Sequence, residues 1–405
     1  MSFQELSQFK YHVNNVISKM ESINKFRKSF VLQTVYLFLA IKGKINFLQL
    51  ERFSESDEQT FRNHFDKPFD FLKFNSELVK EHGSGDYTIG FDPCYISKSG
   101  KSTPGVNWFW SGSAGSTKWG LEIGGIAAID IENHTAFHLS AKQTIFDSEN
   151  ENLVSHYAKL LIDRKQELQT LSKYVVADAY FAKETFISKL KENSFEIVTR
   201  LRDDANLCYK FYGKQKAGRG RPRKFEGKID FKKLNKSYFD VIEVDDNIEI
   251  YSGVVFSKSL KTDVLVAIVY TSKKNNKTTH KIYMTTDVNL SYDKLLKYYQ
   301  TRFQIEFLYR DGKQHTGLND CEARSENKLD FHFNMSLTTI NIAKITHWLA
   351  IPKGERKSFS MSDIKTMYHN ELLLNRFFLT FGINPNLAKN KAKALELLEY
   401  GKIAA

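Results

Sequence analysis

Between Tyr298 and His315 the chain reads YYQTRFQIEFLYRDGKQH. On a helix turning about 100° per residue, Tyr299, Glu306 and Lys313 recur every seven residues. Arg302 falls three residues after Tyr299 and four before Glu306, so it joins that face. One stripe, about 21 Å long at about 1.5 Å per residue, thus carries a phenol, a guanidinium, a carboxylate and an ammonium. Leu295, Leu296, Phe303, Ile305 and Leu308 lie on other faces as anchors to a core, and Ser291 or Asp293 can cap the start. No Pro interrupts the stretch, so a single unbroken helix is expected. An Arg–Glu pair four residues apart is by itself an ordinary surface ion pair. Two further carboxylates alter the weighting. Asp92 closes the alternating run Tyr87-Thr88-Ile89-Gly90-Phe91, and Asp178 closes the apolar run Tyr174-Val175-Val176-Ala177. Either one alone is a cap or a turn former.

The elements that must position these groups follow from pattern. Residues 1–85 read as helices: Phe30 to Ile41 stopped by Gly43, then Ile45 to Phe53, a turn, and Asp57 to Phe65. Helix, short turn, helix suits a DNA-binding fold with Gln59, Arg62 and Asn63 available to DNA, although any small helical bundle reads the same way. From Tyr87 the pattern changes to a strand ending at Asp92, a loop over Pro93 to Gly105, and strands at Leu121 to Ile131 and Thr135 to Ala141. A helix over Asn152 to Leu171, the strand ending at Asp178, a helix over Lys183 to Asn193 and a strand at Phe195 to Leu201 follow. The order β-β-β-α-β-α-β is that of an α/β, RNase H-like core, a mixed sheet with helices on its faces. Such a sheet sets the strands carrying Asp92 and Asp178 side by side. Two close carboxylates repel unless a cation separates them. Glu306, from a packed helix, completes a hard oxygen set suited to Mg²⁺ or Mn²⁺. Two such ions about 3.5–4 Å apart serve phosphoryl transfer.

The order Y-x2-R-x3-E-x6-K over Tyr299, Arg302, Glu306 and Lys313 resembles the signature of DDE transposases of bacterial insertion sequences, in the group named after those letters. Asp92 is followed by Ser97-Lys98-Ser99-Gly100-Lys101 and Asp178 by Ala179-Tyr180-Phe181, similar to the contexts of that family's first and second aspartates. The resemblance covers roughly Tyr87 to Asn319. It departs at Phe303, where many relatives have Trp. It implies metal-dependent cleavage at transposon ends and strand transfer into target DNA. Asp92, Asp178 and Glu306 are then the catalytic metal ligands for two Mg²⁺ or Mn²⁺ ions, and Tyr299, Arg302 and Lys313 contact the phosphate near the cleaved terminus. It further implies double-stranded DNA as partner, a homodimer in the DNA complex, and a cytoplasmic, nucleoid-associated location.

Asp178 and Glu306 are separated by 127 residues, more than such a core needs. Strand-like runs at Tyr238 to Val244, Ile248 to Phe256 and Val264 to Thr271 fill the gap, and the chain rejoins the core near Ile282 to Thr286. In the resembling group a β-rich insertion stands here and helps handle the DNA end. The expected division is a helical DNA-binding domain at 1–85, the catalytic core at 86–203 and 282–350, the insertion at 204–281, and a helical C-terminal region at 351–405. Lys210 to Lys236 carries eleven Lys and Arg against Glu226 and Asp230. At its centre, Arg219, Arg221, Arg223 and Lys224 stand among Gly and Pro, which suits a narrow minor groove. A solvated basic loop is the plain alternative. Leu329 to Leu349 is expected to cover the sheet, and Met361 to Phe381 offers an apolar surface for a partner subunit.

Composition narrows the classes. Lys and Arg number 59 against 47 Asp and Glu, a net charge of +12, which favours nucleic acid before anionic membrane. The three cysteines lie far apart, so neither a zinc site nor a disulfide framework is indicated and a reducing compartment fits. His134 and His138 sit in strand-like sequence and read as structural. The apolar run Phe30 to Ile41 is too short to span a bilayer, and the N-terminus lacks the pattern of a signal peptide. Two other readings stay open: an RNase H-like nuclease or resolvase, and a host-adopted DNA-binding derivative without transposition. The intact carboxylates argue against decay, and the stripe with the long insertion exceeds what a simple nuclease needs.

Overall fold

The structure is a computed structural model that describes residues 7–21, 23–146, 149, 151–215, 222–245, 247–272, 278–385 and 387–403. Five helices come first: α1 (Gln8–Ser18), α2 (Lys25–Ala40), α3 (Phe47–Arg52), α4 (Glu58–Phe65) and α5 (Phe71–His82). Four of them start on a side-chain cap. Asn24, Asn46, Asp57 and Asp70 each accept from the backbone N–H three residues on, satisfying donors the helix itself leaves open.

The strands follow as β1 (Tyr87–Ser97), β2 (Asn107–Ser111), β3 (Ser116–Asp130), β4 (Thr135–Gln143), β5 (Tyr174–Val176) and β6 (Glu196–Leu201). Helices α6 (Leu153–Ile162) and α7 (Lys165–Gln169) precede β5, and α8 (Glu184–Glu192) links β5 to β6. The expected helix over Asn152 to Leu171 is therefore two helices, and β2 is an added strand. β1 differs most from expectation. It does not stop at Asp92 but runs through Pro93 to Ser97, pairing with β3 along its whole length. Its other edge pairs with β5 only at Ile89 and Gly90. Past Gly90 that edge is open, and an open edge tolerates a residue without an N–H.

From β6 the chain continues into β7 (Leu207–Lys210), β8 (Phe225–Lys228), β9 (Asp240–Asp245), β10 (Ile248–Ser257), β11 (Thr262–Ser272) and β12 (Thr278–Thr285). All join one 12-stranded sheet in the order β2-β3-β1-β5-β6-β12-β11-β10-β7-β8, with β4 on β3 and β9 on β10. β5 pairs in parallel with β1 and β6, and the other pairs are antiparallel. Three antiparallel strands followed by two parallel ones, with helices between, is the RNase H-like arrangement. The strands after residue 203 extend that sheet through the β6–β12 pair.

Helices α9 (Tyr292–Thr301), α10 (Gln304–His315), α11 (Glu326–Lys344), α12 (Met361–Thr380) and α13 (Ala388–Glu399) complete the chain. α11 is buried on nearly every side, which explains its lack of an apolar stripe. It covers the free edge of β4 by imitating a strand. Asn334 Oδ1 accepts from the Ala141 N–H at 2.8 Å and its Nδ2 donates to the Ala141 carbonyl at 2.9 Å. Seven residues on, Asn341 does the same with His138, at 2.8 and 2.7 Å. His138 is thus a structural histidine, held neutral by burial, which takes its pKa down to about 3. The N-terminal helices share this core: Phe65 meets Phe331 at 4.5 Å and Phe38 meets His332 at 5.4 Å between ring centroids. Of the groups expected to face DNA there, Arg62 pairs with Glu58 and lies over the Phe47 ring, and Gln59 donates to Asn63.

Candidate active site

The parallel register decides where the two aspartates stand. Ile89 lies opposite Val175 and Gly90 opposite Val176. Asp92 and Asp178 are each two residues beyond the last pair, on strands about 4.8 Å apart. Beyond that pair the strands part. Asp178 caps a short 3₁₀ turn (Ala179–Phe181), accepting from the Tyr180 N–H at 2.8 Å, while its carbonyl accepts from Thr199 Oγ1 at 2.8 Å. These bonds fix the backbone just where the carboxylate leaves it. Asp92 is half-buried on the sheet face covered by α10. Its carbonyl accepts from the Tyr309 hydroxyl at 2.6 Å. Its β3 partner is Gly125, and a Cβ there would lie 1.9 Å from that hydroxyl. Gly125 is therefore the opening through which α10 approaches β1.

The helix bearing the stripe is not continuous. It breaks at Arg302 and Phe303, between α9 and α10. There the bonds tighten to the i+3 pattern: Arg302 N–H to the Tyr299 carbonyl at 3.2 Å, Ile305 to Arg302 at 3.2 Å, and Glu306 to Phe303 at 3.0 Å. Arg302 sits at the break. Its side chain is only 15% exposed and donates from Nη2 to Glu306 Oε1 at 2.9 Å, whereas Glu306 is 54% exposed. The expected ion pair exists, but the arginine is not a solvated partner. Burial works against its charge, and Asp92, Tyr299 and Glu306 more than offset that, raising its pKa.

Asp92 feels the whole cluster. Burial pushes its pKa up, Arg302 opposes this, and the charges of Asp178, Glu306 and Glu122 add to the rise, to about 7. Tyr299 packs against Tyr283 with the rings tilted, 5.0 Å between centroids, and its phenol is raised by burial against the pull of Arg302 and Arg200. A cleft of about 460 Å³ lined by Tyr283, Tyr299, Gln300, Arg302 and Phe303 opens beside it. Lys313, in the last turn of α10, lies beside Cys94, two residues past Asp92 on β1; burial takes that thiol up to about 11 and Lys313 opposes the rise.

The structure thus draws Asp92, Asp178, Glu306, Tyr299 and Arg302 together, with Lys313 farther along β1. Arg223 and Lys224 are elsewhere, at the start of β8 on the far edge of the sheet. Arg223 pairs with Glu226 at 3.5 Å and lies over the Phe211 ring. Arg219 and Arg221 lie outside the described residues.

Three participants escaped sequence reading. Glu122 is buried on β3, accepting from Thr144 at 3.0 Å and from Tyr157. Its signal was a carboxylate inside an apolar strand. Arg200 on β6 faces Tyr299, and its Nε is buried without a hydrogen-bond partner among the described residues. Tyr309 was marked only by the mid-strand Gly124-Gly125 pair, which signals close approach.

The donor chemistry fits a hard divalent cation: burial first, and then the charges of Asp178, Glu306 and Glu122, hold Asp92 toward its neutral form against Arg302, and a cation there would offset both. Among the described residues, however, no three His, Cys, Asp or Glu side chains stand together as a ready metal cage, and Arg302 occupies an oxygen of Glu306.

A mixed sheet of this order with acidic groups beyond the paired ends of β1 and β5 defines an RNase H-like enzyme class. Comparison places the chain within it: residues 134–342 match the transposase DDE domain, and the chain belongs to that family. It is a DDE transposase, an enzyme of DNA cleavage and strand transfer, and the family generally depends on a divalent metal. The matched span holds Asp178, Tyr299, Arg302, Glu306 and Lys313 and begins after Asp92. No curated protein matches the chain. Among solved structures, a cryo-EM structure of a piggyBac transposase synaptic complex with hairpin DNA overlaps 99% of this chain and 84% of that one, at 12% identity and a TM-score of 0.38. No described helix is long and apolar enough to cross a membrane.

Proposed function

We propose that Asp92, Asp178 and Glu306 are the catalytic carboxylates of this transposase and hold Mg²⁺ or Mn²⁺, two ions in the active complex. The observation that carries the reading is the register of β1 on β5, which sets Asp92 and Asp178 equally far beyond one strand pair. Ions bound there supply Lewis-acid charge to the phosphoryl group and its attacking oxygen. Arg302 has five N–H donors and shares them with Glu306 and Tyr299, which leaves part of its fork for a phosphate oxygen beside Asp92. Tyr299 lines the adjacent cleft and orients the same strand with its hydroxyl. Lys313 adds a point charge farther along the DNA. Tyr309 and Gly125 keep α10 at its working distance from β1.

The substrate is double-stranded DNA, both the transposon ends and the target, acted on by a homodimer in the cytoplasm. Residues 1–85 and the insertion at 204–281 serve as DNA-holding domains on the core at 86–203 and 282–350, with 351–405 as a helical C-terminal region. In the insertion, Arg219, Arg221, Arg223 and Lys224 hold the minor groove and its phosphates.

The test is single-turnover cutting and joining of a transposon end with Mg²⁺, beside a binding isotherm. Asp92→Asn, Asp178→Asn and Glu306→Gln should each abolish cutting and joining, with end binding largely retained. Strand transfer at the parent rate by Asp178→Asn would overturn the assignment. Cutting without joining by the parent would favour a nuclease.

A further inference from the structure

The hairpin of β2 and the start of β3 presents an aromatic face that the active site does not use. Trp108 and Trp110 are 63% and 62% exposed. They pair across the hairpin with Trp119 and Thr117, so all four share one face. Phe109, on the other face, is buried and anchors the strand. Trp119 is locked by its indole N–H donating to the Gly100 carbonyl at 2.8 Å, and Trp108 leans edge-on against it, 5.9 Å between centroids. Two large indoles on an edge strand are an aggregation liability unless something covers them.

Charge says what that is. From Pro93 to Gly120 there is no Asp or Glu, while Lys98, Lys101 and Lys118 are present. Lys98 is committed to the carbonyls of Cys321 and Ala323 at 2.6 and 2.8 Å. Lys101 is exposed and follows Gly100, the residue that holds the Trp119 indole, whereas Lys118 lies opposite Phe109 on the other face of the hairpin. An exposed aromatic face on a basic stretch without Asp or Glu suits a polyanion with flat bases. Spacing narrows the choice. Same-face residues on a strand are about 6.7 Å apart, twice the stacking thickness of a base, which leaves room for one base between the two indoles. Trp119 stands six residues along β3 from Gly125, the partner of Asp92, or about 20 Å at about 3.3 Å per residue. That is about six nucleotide steps of a DNA strand.

We propose that Trp108 and Trp110 clasp one unpaired DNA base about six nucleotides from the phosphate at Asp92, with Lys101 on a flanking phosphate. This rests on the transposase reading and adds a site to it. The hairpin thereby stabilises DNA that is opened or kinked beside the reaction.

The experiment uses the full-length chain without metal and two duplexes of one sequence, one fully paired and one with a single extra thymidine. Tryptophan fluorescence quenching and the dissociation constants are read. The parent should bind the bulged duplex more tightly, with quenching. Trp108→Ala/Trp110→Ala should lose that preference tenfold or more and keep its affinity for paired DNA. Trp108→Phe/Trp110→Phe should retain the preference, since a phenyl ring still stacks. A bulge preference unchanged in the double alanine variant overturns the proposal. So does a double alanine variant that sediments as a smaller assembly while still preferring the bulge, because the face is then a protein interface. If the parent cuts DNA but shows no bulge preference, only this inference fails. If the parent binds neither duplex, the transposase reading fails with it.

Discussion

Arg302 is the residue on which two readings of the stripe part. A surface ion pair contributes well under about 1 kcal/mol, so its loss would go unnoticed. A buried guanidinium beside Asp92 is different. Arg302→Ala should leave overall DNA affinity within a few-fold and lower the single-turnover cleavage rate by about 100-fold or more, on pre-cut and uncut ends alike. Parent-rate cleavage would reduce the pair to a structural one. Gly125→Ala offers an independent check. The added methyl collides with the Tyr309 hydroxyl, and overpacking of this kind costs about 1–3 kcal/mol. Removing the hydroxyl in Gly125→Ala/Tyr309→Phe should recover part of that in a urea titration. Single mutants that simply add would show that α10 does not seat on Gly125. Asp92, Asp178, Glu306 and Arg302 stood out as candidates in the sequence only together, because each alone reads as a cap, a turn former or a surface ion pair. Glu122, Arg200 and Tyr309 did not, because each gains meaning only from a cross-strand partner.

At the scale of elements, α11 and β4 carry a sharp expectation. Asn341 satisfies both backbone groups of His138. Asn341→Ala should therefore cost about 2–6 kcal/mol, since each of the two buried groups left unpaired costs about 1–3. A loss below about 1 kcal/mol in chemical denaturation would mean that the β4 edge is satisfied some other way. The basic hairpin gives a second test. β8 lies seven strands from β1, about 33 Å at about 4.8 Å per strand. Neutralising Arg219, Arg221, Arg223 and Lys224 should lower the slope of log K against log salt by about 3–4. Cutting at saturating DNA should stay at the parent rate, because no group at Asp92 is touched. An unchanged slope would mark the loop as merely solvated. The longer strands and helices were readable from periodicity, whereas β2, β7 and β8 were too short to show any. The end of β1 was misjudged because Pro93 reads as a stop until its open edge is known. The break at Arg302 left no trace, since neither Pro nor Gly marks it.

For the molecule as a whole, Lys365 joins the first helices to the last. Its ammonium donates to the carbonyls of Phe38, at 2.9 Å, and Ile41, where α2 ends. Burial lowers its pKa from 10.5 to about 7, with Asp320 opposing and Lys42 assisting. A base depressed in the fold lends stability that is full above about pH 10.5 and is lost as pH falls through about 7. The parent should therefore gain stability relative to Lys365→Met between pH 7 and pH 10. Denaturant midpoints at both values check this, and a constant difference would mean that Lys365 stays charged. Sequence placed helices at both ends of the chain but could not show that they share one core, because that depends on contacts across more than 300 residues, such as Lys365 with Phe38.

The pairing of β6 with β12 also sets an order in time. The two strands are adjacent in the sheet, yet β12 begins only at Thr278 and Glu306 lies 128 residues beyond Asp178. At about 5–20 residues per second, Glu306 follows Asp178 out of synthesis by about 6–26 s. From Leu201 until β12 is made, β6 has an open edge that exposes the nascent chain to edge-to-edge association, and Asp92 and Asp178 stand without Glu306 for longer still. A chain cut short anywhere between β6 and β12 would be left in that condition for good.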